Sequence, residues 1–528
     1  MSSELLITGG KVYDGIGNMP IHADILLRDD RILSVVKSGS VVFSTARKLD
    51  ASGLIVSPGW IDIHAHSDLS LLADPQAYSK VSQGVTTEVS GNCGLSAFPV
   101  LTGEVREHLE ILYQKYDVPI TWHDFRTYAD QVDSVHPAIN PVFLCGHNTL
   151  RANISGYAGK TLSADSLSAM KQLLRKMLEQ GAAGVSSGLL YVPGCFSNER
   201  ELLELLTLTA SMRRIYATHL RNEGDRLEEA LAEALFLAEK SGVPLLISHL
   251  KTALPRNWYK LDHVLDMIEK FRKSGTKIFA DRYPYTYSQT SLSIVLSSPF
   301  DRMDDRLIRD HLQHDPECAE KALTDLIAQK RDWNRVILTN TAYEPFRKFC
   351  GRSVFDIAAE YARSPEKIVI QLLREDAPGT MAAFGGMSDE NLNRILQQDW
   401  ICCGSDETAR PENSSLGISH PRGFGSFPRF IRLAQKQGIA LQEILRRLTS
   451  LPASILQLPE RGVLKPGYFA DLVLFDPEKL QDQADFPNPH TAAEGIHTVI
   501  VNGRVSYTGE SRQVTSQRAG RVLRCTGK

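Results

Sequence analysis

Two histidines separated by a single residue, His64 and His66, follow an apolar stretch at 58–63. In an extended strand alternate side chains leave the same face, so both imidazoles point the same way. The pair is weak evidence by itself, but four more side chains of metal-binding type follow: Cys93, His219, His249 and Asp406. Imidazole, thiolate and carboxylate donors suit Zn²⁺, with one coordination position left for water. The pattern predicts a hydrolytic metal site.

Each of these side chains also has a simpler interpretation. A single histidine at a strand end is more often a hydrogen-bonded polar residue than a ligand, and a lone cysteine such as Cys93 is more often a small buried hydrophobe. The combination separates the two interpretations. An HxH pair, two histidines 30 residues apart at 219 and 249, and an aspartate at the end of Gly404-Ser-Asp are better explained by one shared metal than by coincidence.

Short apolar strand candidates alternate with amphipathic helical segments through the middle of the chain. Strand candidates begin at 84, 140, 183, 215, 244, 277 and 401, and the strand before His64 makes eight. Helical spacing of apolar residues covers 165–181, 225–241 and 263–275. Repeated β-then-α units predict an α/β fold with a (β/α)8 TIM-like barrel. An open doubly wound sheet is the alternative, because strand order cannot be read from sequence.

The candidate ligands all come at the carboxyl ends of predicted strands. His64 and His66 end the first strand, Cys93 follows the second, His219 ends the fifth, His249 the sixth and Asp406 the eighth. In a barrel these ends form one rim, which is where barrel enzymes carry their active sites. The six side chains are therefore expected to converge.

The two ends of the chain have a different pattern, with short alternating runs separated by turn residues. Such runs fill 4–55 and return at 470–475, 497–501 and 504–507, with Asn502-Gly503 as a hairpin signal. The expectation is a small β-sandwich domain built from 1–55 plus 456–528, with the barrel at 56–455. A stretch at about 296–385 fits the barrel poorly and is interpreted as an elaboration, either a lid or a tolerated surface insertion.

Composition excludes several classes of protein. The formal net charge is −3 and basic residues form no run, which gives no reason to expect a nucleic acid or membrane partner. The first residues lack the pattern of a signal peptide, and no apolar run is long enough for a membrane span. The eight cysteines show no CxxC spacing, which favours reduced thiols in a cytoplasm. Oligomeric state is not predicted.

The chain resembles the amidohydrolase superfamily and, within it, the N-acyl-D-amino-acid deacylase (D-aminoacylase) family. The resemblance covers almost the full length. It is carried by PGWIDIHAHSD (58–68), KVSQGVTTEVSGNCG (80–94), GVSSGLLYVPG (184–194), ATHLRNEG (217–224), ISHLK (247–251), DRYPYT (281–286), GSD (404–406), HPRGFGSFPR (420–429) and RGVLKPGYFADLVLFDP (461–477). Most superfamily members carry a bridging carboxylated lysine on the fourth strand, whereas this chain has Ser186-Ser187 there and Cys93 in Asn-Cys-Gly.

The resemblance implies a role for each candidate ligand. Cys93, His219 and His249 would hold one tightly bound zinc, and His64 with His66 could hold a second, weaker metal. Asp406, besides being a candidate ligand, would act as general base toward a metal-activated water and then as general acid toward the leaving amine. Zinc would lower the pKa of that water and polarise the amide carbonyl.

A substrate carboxylate also has to be recognised. Arg422 offers a bidentate fork and Lys251 a point charge, and the resemblance adds Tyr191 and Tyr283 to the clamp. From the residues alone, a surface ion pair for Arg422 and ordinary packing for the tyrosines remain open. Asp68 could orient a ligand imidazole or cap the following turn.

The chain departs from the family pattern beside the catalytic aspartate. Glu407 stands where the family usually has glycine, and 408–419 looks longer than usual. Glu407 could disfavour acidic substrate side chains or point to solvent.

Together these observations predict a zinc-dependent hydrolase of the amide bond of N-acyl-D-amino acids, giving a carboxylate and a free D-amino acid. One alternative is a cyclic-amide hydrolase of the dihydroorotase or hydantoinase type, against which the missing lysine argues. The other is a non-catalytic scaffold protein, against which the complete set of six metal-site side chains argues.

Overall fold

Eight parallel strands lie side by side in the order in which they occur along the chain. The computed structural model describes residues 4–40, 47–418 and 420–525. The strands are Trp60–Asp62, Val85–Ser90, Asn140–Phe143 with its continuation Cys145–Gly146, Gly184–Gly188, Ile215–His219, Leu245–Ile247, Ile278–Arg282 and Ile401–Cys403. Successive strands pair in parallel, in one run of three and one run of six that share the interrupted third strand.

The first and last of these strands meet just beyond their regular segments. Ala65 and Glu407 form a parallel bridge, and the backbone N–H of Asp406 donates to the carbonyl of His64 at 2.8 Å. The sheet therefore closes, and the predicted (β/α)8 barrel is confirmed. The open doubly wound alternative is wrong, because its strand order would reverse part-way across the sheet.

Helices follow the strands and bury their apolar faces against the sheet in a large common core. The described helices are Ser70–Ala73, Tyr78–Val81, Gly103–Leu112, Phe125–Ser134, His147–Ser155, Ala164–Glu179, Glu199–Ser211, Leu227–Ser241, Leu261–Lys273, Asp305–His314, Pro316–Ala328, Glu344–Arg347, Val354–Glu360, Pro365–Asp376, Asp389–Leu396, Arg422–Lys436, Leu441–Leu448 and Ser450–Ile455. The three helices predicted from spacing are found within two residues of the expected limits. Among the described residues, no helix combines the length and the apolar character needed to span a bilayer.

Strands from both chain ends are joined in one nine-stranded sheet beside the barrel. They are Glu4–Val12, Ile21–Arg28, Arg31–Lys37, Arg47–Asp50, Ile55–Pro58, Leu472–Phe475, Ile496–Val501, Arg504–Thr508 and Gln513–Val514. Ile55–Pro58 pairs in parallel with Glu4–Val12 and antiparallel with Leu472–Phe475, which links the two ends of the chain. Asn502 and Gly503 both have positive φ, as the predicted hairpin requires.

The small β domain thus comes from both ends, as expected, and has a core of its own. Its proposed limits at 55/56 and 455/456 stay a prediction. The last described residues leave the small sheet and return to the barrel, where the N–H of Leu523 donates to Pro141 and that of Cys525 to Gly181, both at 2.9 Å.

The elaboration lies between the seventh and eighth barrel strands. Its sheet is antiparallel, with Tyr287–Ser291 and Val336–Asn340 on either side of Met381–Gly385. Helices from 305 to 376 pack on this sheet around a separate apolar core. The region is therefore a small folded unit, and its sheet places Thr290 beside the barrel rim, where it contacts Tyr191.

Candidate metal centre and active site

Four side chains from different barrel strands bring their ligand atoms together at the carboxyl-terminal rim. His64 Nε2 lies 3.4 Å from Cys93 Sγ and 3.4 Å from Asp406 Oδ1. His249 Nε2 lies 3.6 Å from the same sulfur. One ligand atom from each of the four is within 4.8 Å of the others. Atoms bound at about 2.0–2.3 Å to one zinc stand roughly 3.5 Å apart, so the spacing matches a shared metal ion.

The other two predicted ligands flank this group. His66 Nε2 lies 3.1 Å from Asp406 Oδ1, and the His219 ring stands 4.6 Å from that of His249, nearly perpendicular to it. His219, Glu223 and His249 form a second set whose ligand atoms lie within 4.8 Å of one another. All six predicted ligands are therefore brought to one place.

Three of these residues have an unusual backbone conformation. Cys93, His249 and Asp406 have φ values of 51°, 37° and 51°. Non-glycine residues enter this left-handed region at a cost of roughly 1–3 kcal/mol, and they do so mainly where surrounding contacts hold them at functional sites. Each lies directly after a strand or in the loop that follows one, so the strain turns its side chain toward the rim.

The turn that carries Cys93 is held on both sides. A Cβ on the following residue, Gly94, would come within 2.5 Å of the backbone N of Gly188, so only glycine allows this approach to the fourth strand. On the other side buried Asp68 accepts from the N–H groups of Gly91 at 3.1 Å and Ala97 at 3.3 Å. Asp68 therefore holds the cysteine loop, and the cap position of the following helix is taken by Leu69.

The surroundings lower the pKa of both the thiol and the carboxyl group of the cluster. Burial opposes this, but His64 and the other nearby imidazoles hold the pKa of Cys93 well below its usual value. Burial likewise opposes ionisation of Asp406, and Arg422 with His249 holds its pKa well below the usual range. The site therefore presents a thiolate and a carboxylate near neutral pH.

The imidazoles respond in the opposite sense. Burial disfavours their charged forms, yet the neighbouring carboxylates and the thiolate raise the pKa of His66 to about 9, that of His249 to about 10 and that of His64 well above its usual value. Protons on the rings thus balance the anionic donors. A divalent cation would replace these protons, because the same ring nitrogens are metal ligands once deprotonated.

Two carboxylates that the sequence analysis did not single out orient the ligand imidazoles. Asp281 Oδ2 lies 3.0 Å from His64 Nδ1, and Glu223 Oε1 lies 3.0 Å from His249 Nδ1. Both contacts leave Nε2 of the histidine facing Cys93, which is the usual arrangement behind a metal-binding histidine. Signals were present: Glu223 is four residues after His219, and Asp281 is the last residue but one of the seventh strand.

The donor set fits zinc. Neither ring nitrogen of His219 makes a hydrogen bond in the structure, although Nε2 lies 3.5 Å from Glu223 Oε2, and a bound metal ion would engage one of the two nitrogens. A sulfur ligand with three or more imidazoles and a carboxylate is the combination that zinc prefers over magnesium, calcium or manganese. The cluster is therefore suited to hold one zinc ion, with enough donors for a second metal.

Arg422 and Tyr283 lie against the cluster on the side of the eighth strand. Arg422 Nη1 is 2.8 Å from Asp406 Oδ2, and the side chain is only 3% exposed, which excludes the surface ion pair considered from sequence. Its guanidinium carbon stands 4.6 Å from the centre of the Tyr283 ring. The Tyr283 hydroxyl is buried without a hydrogen-bond partner in the structure.

Lys251 lies beside His249, with Nζ 2.7 Å from His249 Nδ1, and Tyr191 lies beside His219. Lys251 Nζ donates to Glu223 and, at 3.2 Å, to the carbonyl of His249. The Tyr191 ring stands 4.9 Å from His219, and its hydroxyl is 3.2 Å from Thr290 Oγ1 in the elaboration. All four residues predicted for the substrate clamp therefore border the metal cluster, and their binding roles stay a prediction.

Comparison with known proteins gives this site a family. The family model described as "Amidohydrolase family" matches residues 47–334 and 356–507 of this chain. The chain is 32% identical to N-acyl-D-glutamate deacylase from Alcaligenes xylosoxydans xylosoxydans over 99% of its own length and 96% of that protein. The chain belongs to the amidohydrolase family. Within that family it belongs to the N-acyl-D-amino-acid deacylases.

Solved structures support the same family assignment for this amidohydrolase. The structure of N-acyl-D-glutamate deacylase from Bordetella bronchiseptica, complexed with zinc and a phosphonate mimic of the tetrahedral intermediate, superimposes with a TM-score of 0.82 at 32% identity, covering 98% of this chain and 99% of that one. D-aminoacylase gives a TM-score of 0.80 at 31% identity, with the same coverage. L-hydantoinase from Arthrobacter aurescens is 16% identical with a TM-score of 0.55 over 100% of this chain and 99% of that one, so it shares the fold alone.

The fourth strand of this amidohydrolase has no lysine that could be carboxylated. Ser186 Oγ donates instead to the carbonyl of Gly91, in the loop that carries Cys93. Ser187 Oγ lies 2.7 Å from the Tyr216 hydroxyl and 2.8 Å from Thr218 Oγ1. The two serines therefore make local contacts, and Cys93 supplies the anionic sulfur of the cluster.

Glu407 does not point to solvent in this amidohydrolase. It is 3% exposed, with Oε1 3.5 Å from Arg410 Nη2 and Oε2 3.9 Å from Arg422 Nε. Two arginines therefore share its charge. Because Glu407 is paired in this way, it should disfavour acidic substrate side chains less than the sequence alone suggests.

Proposed function

We propose that the chain is a zinc-dependent deacylase of N-acyl-D-amino acids that releases a carboxylate and a free D-amino acid. The observation that carries the proposal is the thiolate, imidazole and carboxylate cluster at the barrel rim, with the buried cation Arg422 directly beside Asp406. This arrangement joins a metal centre to a recognition group for an anionic substrate. An N-acyl-D-glutamate deacylase and a D-aminoacylase are among the relatives that match this chain over almost its full length.

Metal binding is assigned to the residues predicted from sequence. Cys93, His219 and His249 would hold the tightly bound zinc, and His64 with His66 would contribute to a second metal position. When bound, zinc supplies Lewis acidity, which lowers the pKa of a water molecule and polarises the amide carbonyl. Asp281 and Glu223 keep the ligand imidazoles oriented.

Asp406 is proposed as the residue that moves the proton. Its depressed pKa keeps it a carboxylate at neutral pH, so it can accept a proton from the attacking water. As the water oxygen bonds to the carbonyl carbon, Asp406 holds that proton, and it then delivers it to the nitrogen as the C–N bond breaks. The leaving group is therefore a neutral amine, which an amide requires.

The substrate carboxylate is proposed to meet Arg422, with Tyr283 and Lys251 beside it and Tyr191 across the cluster. Arg422 has the planar fork that binds a carboxylate through two parallel hydrogen bonds. The unpartnered Tyr283 hydroxyl offers a further donor. Holding the carboxylate here would place the neighbouring amide at the metal centre.

The alternatives have less support. A cyclic-amide hydrolase would be expected to use the bridging lysine that the fourth strand lacks, and the hydantoinases resemble this chain in fold alone. A scaffold protein would have no need for a buried cluster of ionised ligands with strained backbones. We also propose a cytoplasmic, small-molecule enzyme without a nucleic acid or membrane partner, since all eight cysteines are free thiols and the net charge is small.

One experiment tests the proposed function. Bound metal is measured first, and hydrolysis of N-acetyl-D and N-acetyl-L amino acids with neutral, basic and acidic side chains is then compared. We expect zinc in the purified protein and turnover of D substrates at rates well above those of their L counterparts. Absence of turnover for every linear N-acyl amino acid by the zinc-loaded protein would reject the proposal.

A further inference from the structure

The backbone around Asp406 is anchored on both sides of the residue. Asp406 has a φ of 51°, a left-handed conformation that glycine adopts easily and aspartate does not. Its N–H donates to the carbonyl of His64 at 2.8 Å, and the carbonyl of Glu407 accepts from His66 N–H at 3.3 Å. Contacts of the two flanking residues, Ser405 and Glu407, therefore help to fix the backbone from which the Asp406 carboxylate reaches Arg422 and His66.

Both flanking residues are bound by one buried cation. Lys80 Nζ donates to Ser405 Oγ at 2.8 Å and to the carbonyl of Glu407 at 2.9 Å. Its third hydrogen bond goes to Asp62 Oδ2 at 2.8 Å. All three N–H groups of the ammonium are thus used, two of them on the residues immediately before and after Asp406.

Asp62 completes the network from the first strand. Its Oδ1 accepts from the N–H of Ser405 at 2.9 Å, and its Oδ2 accepts from Ser405 Oγ at 2.6 Å. Glu88 on the second strand lies 3.4 Å from Lys80 Nζ. The network therefore ties the loop after the eighth strand to the first two strands, across the point where the barrel closes.

The side chains of this network are fully buried: Asp62, Lys80, Glu88 and Ser405 each have 0% exposure. Burying an ammonium and two carboxylates carries a large desolvation penalty, and well-packed apolar residues often give a more stable protein. Stability alone therefore does not explain the network. Three directed hydrogen bonds can fix the orientation of the loop after the eighth strand, which apolar packing cannot do.

We propose that Lys80 is a positioning residue for Asp406. It does not touch the metal ligands' donor atoms or the substrate clamp, and it acts by holding Ser405 and Glu407. This inference rests on the proposed role of Asp406 as general base. Because a displaced base weakens proton transfer and leaves carboxylate recognition unchanged, loss of Lys80 is expected to lower kcat with little change in KM.

The test is a double-mutant cycle on the zinc-loaded enzyme, with Lys80→Met and Asp406→Asn. In the wild-type background Lys80→Met is expected to lower kcat about 10- to 100-fold, the usual effect of losing a partner that orients an active-site group. In the Asp406→Asn background the same substitution is expected to change kcat by less than about twofold, because the group it positions no longer transfers protons. Equal losses in both backgrounds would overturn the inference.

A matched control and a milder variant guard against loss of folding. Arg151 is as buried as Lys80 and pairs with Glu201 between two barrel helices, so Arg151→Met removes a buried cation that bonds to neither Ser405 nor Glu407. It is expected to lower the melting temperature and leave kcat unchanged. Ser405→Ala removes the hydroxyl's hydrogen bonds to Lys80 and Asp62 and keeps the charges, and a kcat loss of about 3- to 10-fold is expected.

Zinc content and melting temperature accompany every variant. The inference predicts full zinc content in Lys80→Met and Ser405→Ala, since no ligand is removed. Unchanged kcat in both variants would overturn it while leaving the deacylase proposal intact. A wild-type protein without deacylase activity would instead reject the proposed function, so the two failures are distinguishable.

Discussion

Arg422 Nη1 lies 2.8 Å from Asp406 Oδ2, with both side chains buried at the barrel rim. The group proposed to bind the substrate carboxylate therefore touches the group proposed to move the proton. In the proposed mechanism recognition and catalysis share an electrostatic environment, because the guanidinium proposed to receive the substrate also holds the pKa of Asp406 down. Removing either partner is expected to affect the other.

Replacement of the proposed base tests its role directly. Asp406→Asn keeps the size of the side chain and removes its ability to accept a proton. We expect kcat to fall about 10²- to 10⁴-fold, the range for general acid–base catalysis. Zinc content, measured by elemental analysis, should stay near the wild-type value because Cys93, His219 and His249 are unchanged. Turnover close to that of the wild type would contradict the assignment.

Arg422→Ala tests the clamp and its coupling to the base. Loss of a charge-assisted contact predicts a rise in KM of about 10- to 100-fold for carboxylate-bearing substrates. Since the guanidinium lowers the pKa of Asp406, its removal should raise that pKa. The acidic limb of the kcat/KM profile should then move to higher pH.

Arg422→Lys is the matched comparison. It keeps the positive charge and loses the planar fork, so KM should rise while the acidic limb stays close to its wild-type position. An unchanged KM in both variants would remove Arg422 from the clamp.

Cys93→Ser tests the sulfur ligand. A serine hydroxyl is a poor zinc ligand at neutral pH, so zinc affinity should fall and the purified variant should contain well under one equivalent. Cys195→Ser is the control, because Cys195 is a half-buried thiol that is not part of the cluster. Equal zinc content in the two variants would argue against a sulfur ligand.

Glu223→Gln tests a residue that sequence reasoning passed over. The Glu223 carboxylate contacts both His249 Nδ1 and Lys251, and the amide is a weaker acceptor. We expect zinc affinity, measured by competition with a chelator, to fall about 10- to 100-fold. Glu233 lies on the following helix, Leu227–Ser241, and pairs with Arg221. The control Glu233→Gln should therefore leave the zinc affinity unchanged.

Acid stability should depend on Glu201. Burial raises its pKa, but His147 and Arg151 outweigh this and bring the pKa below 4.5 in the folded protein. A depressed folded pKa contributes stability that is complete above about pH 4.5 and lost as the pH falls through the folded value. Urea unfolding at several pH values should therefore show a shallower acid decline in Glu201→Gln than in the wild type. A parallel decline in both proteins would assign acid sensitivity to other groups.

The barrel and the six candidate ligands could be predicted because the information is local. Each strand is marked by a short apolar run, and His219 and His249 each end such a run. Parallel strands place their carboxyl ends on one rim, so the position of a residue in its own unit is enough to bring it to the site. The elaboration could be recognised only as a poor fit to this repeat, since its core forms among its own helices and strands.

Other parts of the site could not be predicted because they depend on contacts between distant residues. Lys80 reaches Ser405 across 325 positions, and Asp281 reaches His64 across 217. Glu223 and Asp68 have side chains that would be ordinary in any surface loop. Only the closed barrel shows that Glu223 contacts His249 and that Asp68 holds the loop of Cys93.

The sequence by itself determined the order of strands and helices, the chemical types of the metal ligands and the absence of a lysine on the fourth strand, because these follow from periodicity and residue identity. The tertiary structure decided which nitrogen of each histidine faces the metal position, how Asp406 is held with positive φ, and which cation neutralises it. The physical reason is that buried hydrogen bonds and ion pairs need partners within about 3 Å. Closure of the barrel between the first and eighth strands brings those partners together.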